Sequence, residues 1–178
     1  MKANLIFKHF VPLLLLAALL LSGCSAQKNK TADIRTVADK IAGYSLPEGY
    51  SEQFALDVLG YQLVSLTGPT ESCHIYLVQA PKDTEVDIAR LQEQARSMEG
   101  GEKSGRPRKV QVVETRSVSL RGQEVPVLVG EGINSQEQSY REVTALFQGR
   151  GGPALVSISS PASQWDWEQV DQFLASLE

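Results

Sequence analysis

Between Val110 and Ser159 the chain alternates apolar and polar residues in short runs divided by turn formers, and this pattern narrows its possible folds more than any other feature. Val110-Gln111-Val112-Val113-Glu114-Thr115 and Ser117-Val118-Ser119-Leu120 alternate, Arg121-Gly122-Gln123-Glu124 turns the chain, and Val125 to Val129 continues the pairing. Tyr140 to Gln148 reads as a strand, Gly149-Arg150-Gly151-Gly152 as a hairpin turn, and Ala154 to Ser159 as its partner. The expectation is an antiparallel meander, whose apolar face other elements have to cover.

The first half adds three more extended runs. Phe54 to Leu59 is one; Gln62 to Leu66 follows Gly60-Tyr61 closely enough to fold back as a hairpin, a bulged single strand being the alternative. Thr67-Gly68-Pro69-Thr70 then turns into His74 to Gln79. Three segments have helical spacing. Ile34, Val37, Ala38 and Ile41 precede a stop at Gly43, and Val86, Ile88, Leu91, Ala95 and Met98 follow a cap at Asp83 or Thr84. A closing helix is expected after Ser163 as N-cap, with Asp166 and Glu168 in its first turn and Trp167, Val170, Phe173, Leu174 and Leu177 on one face. Strands interrupted by helices at the start, middle and end predict the α+β class, a central antiparallel sheet flanked by helices.

The order of these elements, the Leu46-Pro47-Glu48-Gly49-Tyr50 turn, the meander and the Trp-containing closing helix resemble the PsbP-like sandwich family, of the Mog and DcrB type. The resemblance covers about Asp33 to Glu178 and rests on element order and one turn, so it carries no functional residue with it. It implies an antiparallel sheet with helices on both sides, in a family whose members mostly bind or assemble.

The N-terminus reads separately. Lys2 and Lys8 supply positive charge, Val11 to Leu21 an apolar segment, and Ser22-Gly23 the small residues that precede a signal-peptidase cut. That segment is too short to span a bilayer, which takes about 20 apolar residues. Leu21-Ser22-Gly23-Cys24 resembles a bacterial lipobox. The resemblance implies a signal peptide over 1–23, lipidation of Cys24, and a membrane anchor made of several acyl chains, where one would be marginal. An ordinary cleaved signal with an incidental Cys24 is the alternative. Ser25, where an Asp would retain the protein in the inner membrane, points to the periplasmic face of the outer membrane. Residues 24–32 are polar and read as a flexible tether, leaving 33–178 as a single domain.

Removing 1–23 takes two lysines and no acids from a chain of 17 basic and 21 acidic side chains, leaving a charge of about −6 and no case for a nucleic-acid partner. With Cys24 acylated, Cys73 is the one remaining thiol, so an internal disulfide is ruled out. Cys73 is expected to be buried, and His74, its neighbour on a strand, to point the other way. No metal-spaced cysteine pair, zincin helix, nucleophile elbow or phosphate loop occurs, and no cofactor is expected. His74 is the only histidine after residue 23, which leaves a Ser-His-acid triad a single possible base.

Glu114 and Glu142 could face each other across strands. Trp165 and Trp167 could line a groove, although one packed in the core and one at a helix start is the plainer expectation. Gly130 to Ser135 reads as a turn, and the basic cluster within 99–109 as a solvated loop. The leading expectation is a non-catalytic envelope lipoprotein that binds a protein partner or supports envelope assembly or maintenance. A carrier of a lipidic or small apolar ligand, and a thiol enzyme using Cys73 or His74, stand as alternatives.

Overall fold

The computed structural model describes residues 33–84, 110–133 and 137–178. Seven antiparallel strands form one sheet: β1 (Ser51–Val58), β2 (Tyr61–Thr67), β3 (His74–Gln79), β4 (Val110–Leu120), β5 (Gln123–Ile133), β6 (Ser139–Gln148) and β7 (Pro153–Pro161). Their order across the sheet is β1-β2-β3-β7-β6-β5-β4. Two meanders, β1 to β3 and β4 to β7, therefore meet where β7 pairs with β3.

Helices α1 (Ile34–Ile41) and α2 (Trp167–Ala175) lie against one face. Val37, Ala38 and Ile41 of α1 and Val170, Phe173 and Leu174 of α2 pack on alternate strand residues, among them Val64, Leu66, Ile75, Leu77, Val143, Ala145 and Val156. Helical spacing in α1 and strand alternation beneath it thus produce the same core. The two helices are tied at their ends. Gly43 N donates to Glu178 O at 2.9 Å, Glu178 N donates to Gly43 O at 3.1 Å, and Arg150 N in the β6–β7 turn donates to Ile41 O at 2.8 Å.

The α+β expectation does not hold. The described chain is mostly β, and its two short helices share a face instead of flanking the sheet on both sides. The physical reason lies in segment lengths: helical spacing persists for about two turns in α1 and α2, whereas the strands run through residues that looked like breaks. Arg116 continues β4, and β5 runs on through Gly130-Glu131-Gly132-Ile133. Gly130 stands there because a Cβ would lie 2.2 Å from Val110 Cγ1 across the ladder, so its small size answers a packing need and not a turn. The helix expected over Val86 to Met98 and the basic cluster within 99–109 lie outside the described residues.

Two further local expectations are corrected. Ser163 falls in a short 3-10 turn (Ala162–Gln164), and the N-cap of α2 is Asp166, whose Oδ1 accepts from Glu168 N at 2.9 Å and Gln169 N at 3.3 Å. Phe54 to Leu59 and Gln62 to Leu66 do form a hairpin, closed by Leu59 and Gly60 with φ of 54° and 84°.

Candidate functional site

On the face away from α1 and α2, the register aligns side chains in rows across four strands. Thr67, His74, Ser159 and Glu142 form one row, Ser65, Tyr76, Ser157 and Thr144 the next, and Leu63, Val78, Leu155 and Leu146 the third. One end of this face is polar and the other apolar. Apart from half-buried Thr67 the polar rows are buried nonetheless, Glu142 to 7% exposure. A buried carboxylate needs donors, and Glu142 Oε1 accepts from Ser157 Oγ at 3.0 Å and from Thr144 Oγ1 at 3.4 Å. The His74 and Tyr76 rings stack at 5.9 Å with 20° between their planes.

This constellation contains serine, histidine and a carboxylate in an order that does not make a relay. In a triad the imidazole stands between nucleophile and acid; here Ser159 lies between His74 and Glu142. Nor does Glu114 join Glu142. Glu114 pairs with Val129 and Val129 with Val143, so Glu114 shares the helix-covered face and Glu142, next to Val143, points to the other.

Cys73, expected to be buried, is 3% exposed and lies just before β3. Its Sγ donates to Gln164 Oε1 at 3.2 Å and is 3.3 Å from Thr70 Oγ1. Nearby, burial pushes the Tyr50 hydroxyl up to about 12, and Cys73 adds to the effect. On α1's flank, burial first and then the bond it donates to Glu52 Oε1, 2.9 Å long, raise Tyr44 well above the ordinary tyrosine value.

Both tryptophans sit at the start of α2, half-buried and edge to face at 5.2 Å, so neither is a core residue. Arg116 of β4 lies 4.3 Å above the Trp167 ring. Arg141 lies 5.9 Å from both rings and is held by Glu131, to which its Nε donates at 3.1 Å. Beside them, where β5 ends and β6 begins, a cleft of about 780 Å³ opens to the surface between Gln111, Glu131, Ile133, Ser139 and Tyr140. A smaller one of about 260 Å³, sharing Ser139, reaches Thr70, Ser72 and Gln164.

The edge strand β4 exposes two large apolar side chains, Val112 at 58% and Val113 at 55%, while Ile133 of β5, 61% exposed, lies on the rim of the larger cleft and on the opposite sheet face from Val112. The pairing of β4 with β5 shifts between Val112 and Glu114, so Val113 is the extra residue of a bulge. Sequence reasoning passed over this patch, although the doubled valine that interrupts the alternation was its signal. Among the described residues no group of three His, Cys, Asp or Glu could hold a metal ion, and no helix is long and apolar enough to cross a membrane. Cys24 and the rest of the N-terminal motif lie outside the described residues. No protein-family model matches this chain and no curated protein matches it, so its function has to be argued from its own residues.

Proposed function

We propose that this chain is a lipid-anchored protein of the cell envelope, held through Cys24 on the periplasmic face of the outer membrane, whose domain binds a protein partner instead of transforming a substrate. The observation that carries this is the exposed apolar pair Val112 and Val113 on the edge strand β4. Two adjacent large apolar side chains on an exposed edge strand are a surface that association would remove from water. Burial of Cys73 and the serine-centred order of the polar row withdraw support from a thiol or serine enzyme. Neither of these two clefts is the enclosed apolar cavity that a carrier would need.

Two experiments test this. A photo-reactive residue in place of Val112 in the full chain, irradiated in native membranes, is expected to give an adduct with another polypeptide; irradiation that yields only the free chain overturns partner binding at this surface. Cys24→Ala is expected to move the exported protein into the soluble fraction. Retention on the membrane would remove the lipid anchor from the proposal.

A further inference from the structure

Resting on partner binding at the β4 edge, we infer that the partner is a second copy of this chain, joined edge to edge by antiparallel pairing of the two β4 strands about a two-fold axis at Thr115. Among the described residues β4 has no strand on its outer side, and Gln111 to Thr115 and Ser117 are all exposed. An edge strand of this kind presents a row of unused N–H and C=O groups. Proteins commonly protect such an edge with charge, and here the charges are self-complementary.

Glu114 and Arg116 are two residues apart and so lie on the same face of the strand. A two-fold axis at Thr115 places Glu114 of each copy directly opposite Arg116 of the other, giving two ion pairs for one joint. The neighbouring registers fail. An axis at Glu114 sets two glutamates face to face and one at Arg116 sets two arginines, and like charges directly opposite are destabilising. An axis at Ser117 leaves Glu114 against Leu120 and Arg116 against Val118. Outward backbone groups do not discriminate, because any residue-centred two-fold pairs odd positions with odd and even with even. The charges alone select Thr115, and they select a second copy over an unrelated strand because the pattern reads the same from both sides.

Arg116 stacks on Trp167 and its Nη2 stands 3.7 Å from Asp171 Oδ2 of α2, contacts that keep the guanidinium on the face it shares with Glu114 and that a cross-copy ion pair with Glu114 would have to share. Because the axis repeats it, the bulge at Val113 ends regular pairing at both ends of the joint, so the joint is short, and Val112 and Val113 of each copy would lie against the neighbouring strand. A short joint is weak between freely diffusing molecules; copies anchored to one membrane meet at a raised effective concentration. The dimer is therefore expected on membranes and sparse in dilute solution.

The test uses the full chain in its own membranes. Thr115→Cys, on mild oxidation, is expected to give a disulfide-linked homodimer, since directly opposed residues bring their Cβ atoms close to bridging distance. Ser117→Cys is expected to give little, because its mate is Val113. In the Thr115→Cys background, Glu114→Arg or Arg116→Glu alone is expected to cut the dimer about fivefold or more, and the two together to restore it. Restoration by the charge swap separates pairing from any loss of fold. Equal dimer at Thr115 and Ser117, or no rescue by the swap, overturns the inference. If Val112 photo-crosslinks to a different protein while Thr115→Cys stays monomeric, the homodimer falls and partner binding stands. If neither experiment gives a product, both fall.

Discussion

Leu59 and Arg121 occupy the same strained position in two hairpins, with φ of 54° and 51°, where a side chain costs stability and Asn or Gly is usual. Arg121 has a return for this, since its Nη1 donates to Gln148 O at 2.7 Å. Leu59 is 91% exposed. Leu59→Asn is therefore expected to stabilise the protein by about 1 kcal/mol, read from the urea midpoint, and an unchanged or lower midpoint would contradict the strain argument. The tyrosines make a second prediction at this scale. With Tyr50 raised from 10.0 to about 12, and Tyr44 raised further, the unfolded chain ionises first as pH climbs past about 10. Their contribution is intact below that pH and is lost as pH rises towards the folded values. Alkaline denaturation curves should move to higher pH in Tyr50→Phe; a curve that does not move would show that other groups govern the alkaline limit. What was legible at this scale was composition: a buried cysteine, a lone histidine, a carboxylate worth watching. Which carboxylate met which hydroxyl was not, because Glu142 and Ser157 lie on different strands whose register no local pattern states.

Elements were legible wherever local chemistry decided them. The six residues of β3 and the strands of the β6–β7 hairpin follow from alternation and from glycine-rich punctuation. Errors came where one residue could serve two ends. Ser163 is a good cap by type, but Asp166 is the cap in fact, being placed where its carboxylate meets two free N–H groups at the positive end of α2. Asp166→Ala is expected to cost about 1 kcal/mol in chemical denaturation and Ser163→Ala close to nothing. Equal costs would mean that the 3-10 turn, not Asp166, sets the start of the helix. The fold class failed for a related reason: glycine inside β5 looked like a turn because its purpose, room for Val110, lies on another strand.

At the scale of the molecule, one core is closed by the two ends of the domain. Leu177 is 2% exposed and belongs to the same cluster as α1, and Glu178 pairs through its backbone with Gly43. Leu177→Ala is expected to lower unfolding free energy by about 2 to 5 kcal/mol, an effect out of proportion to its place next to the last residue. A loss below about 1 kcal/mol would show that the site is an ordinary frayed terminus. None of this long-range closure could be read locally, since it depends on the junction of two meanders through β3 and β7. That junction bears on how the protein is made. The strand in the middle of the sheet is the last of the seven along the chain, so a polypeptide emerging N-terminus first can hold only two half-sheets, with open margins at β3 and at β6, until Pro153–Pro161 has emerged. Until the final strand arrives those margins can capture strands from neighbouring chains. The emerging polypeptide, more than the finished one, is the form open to such capture.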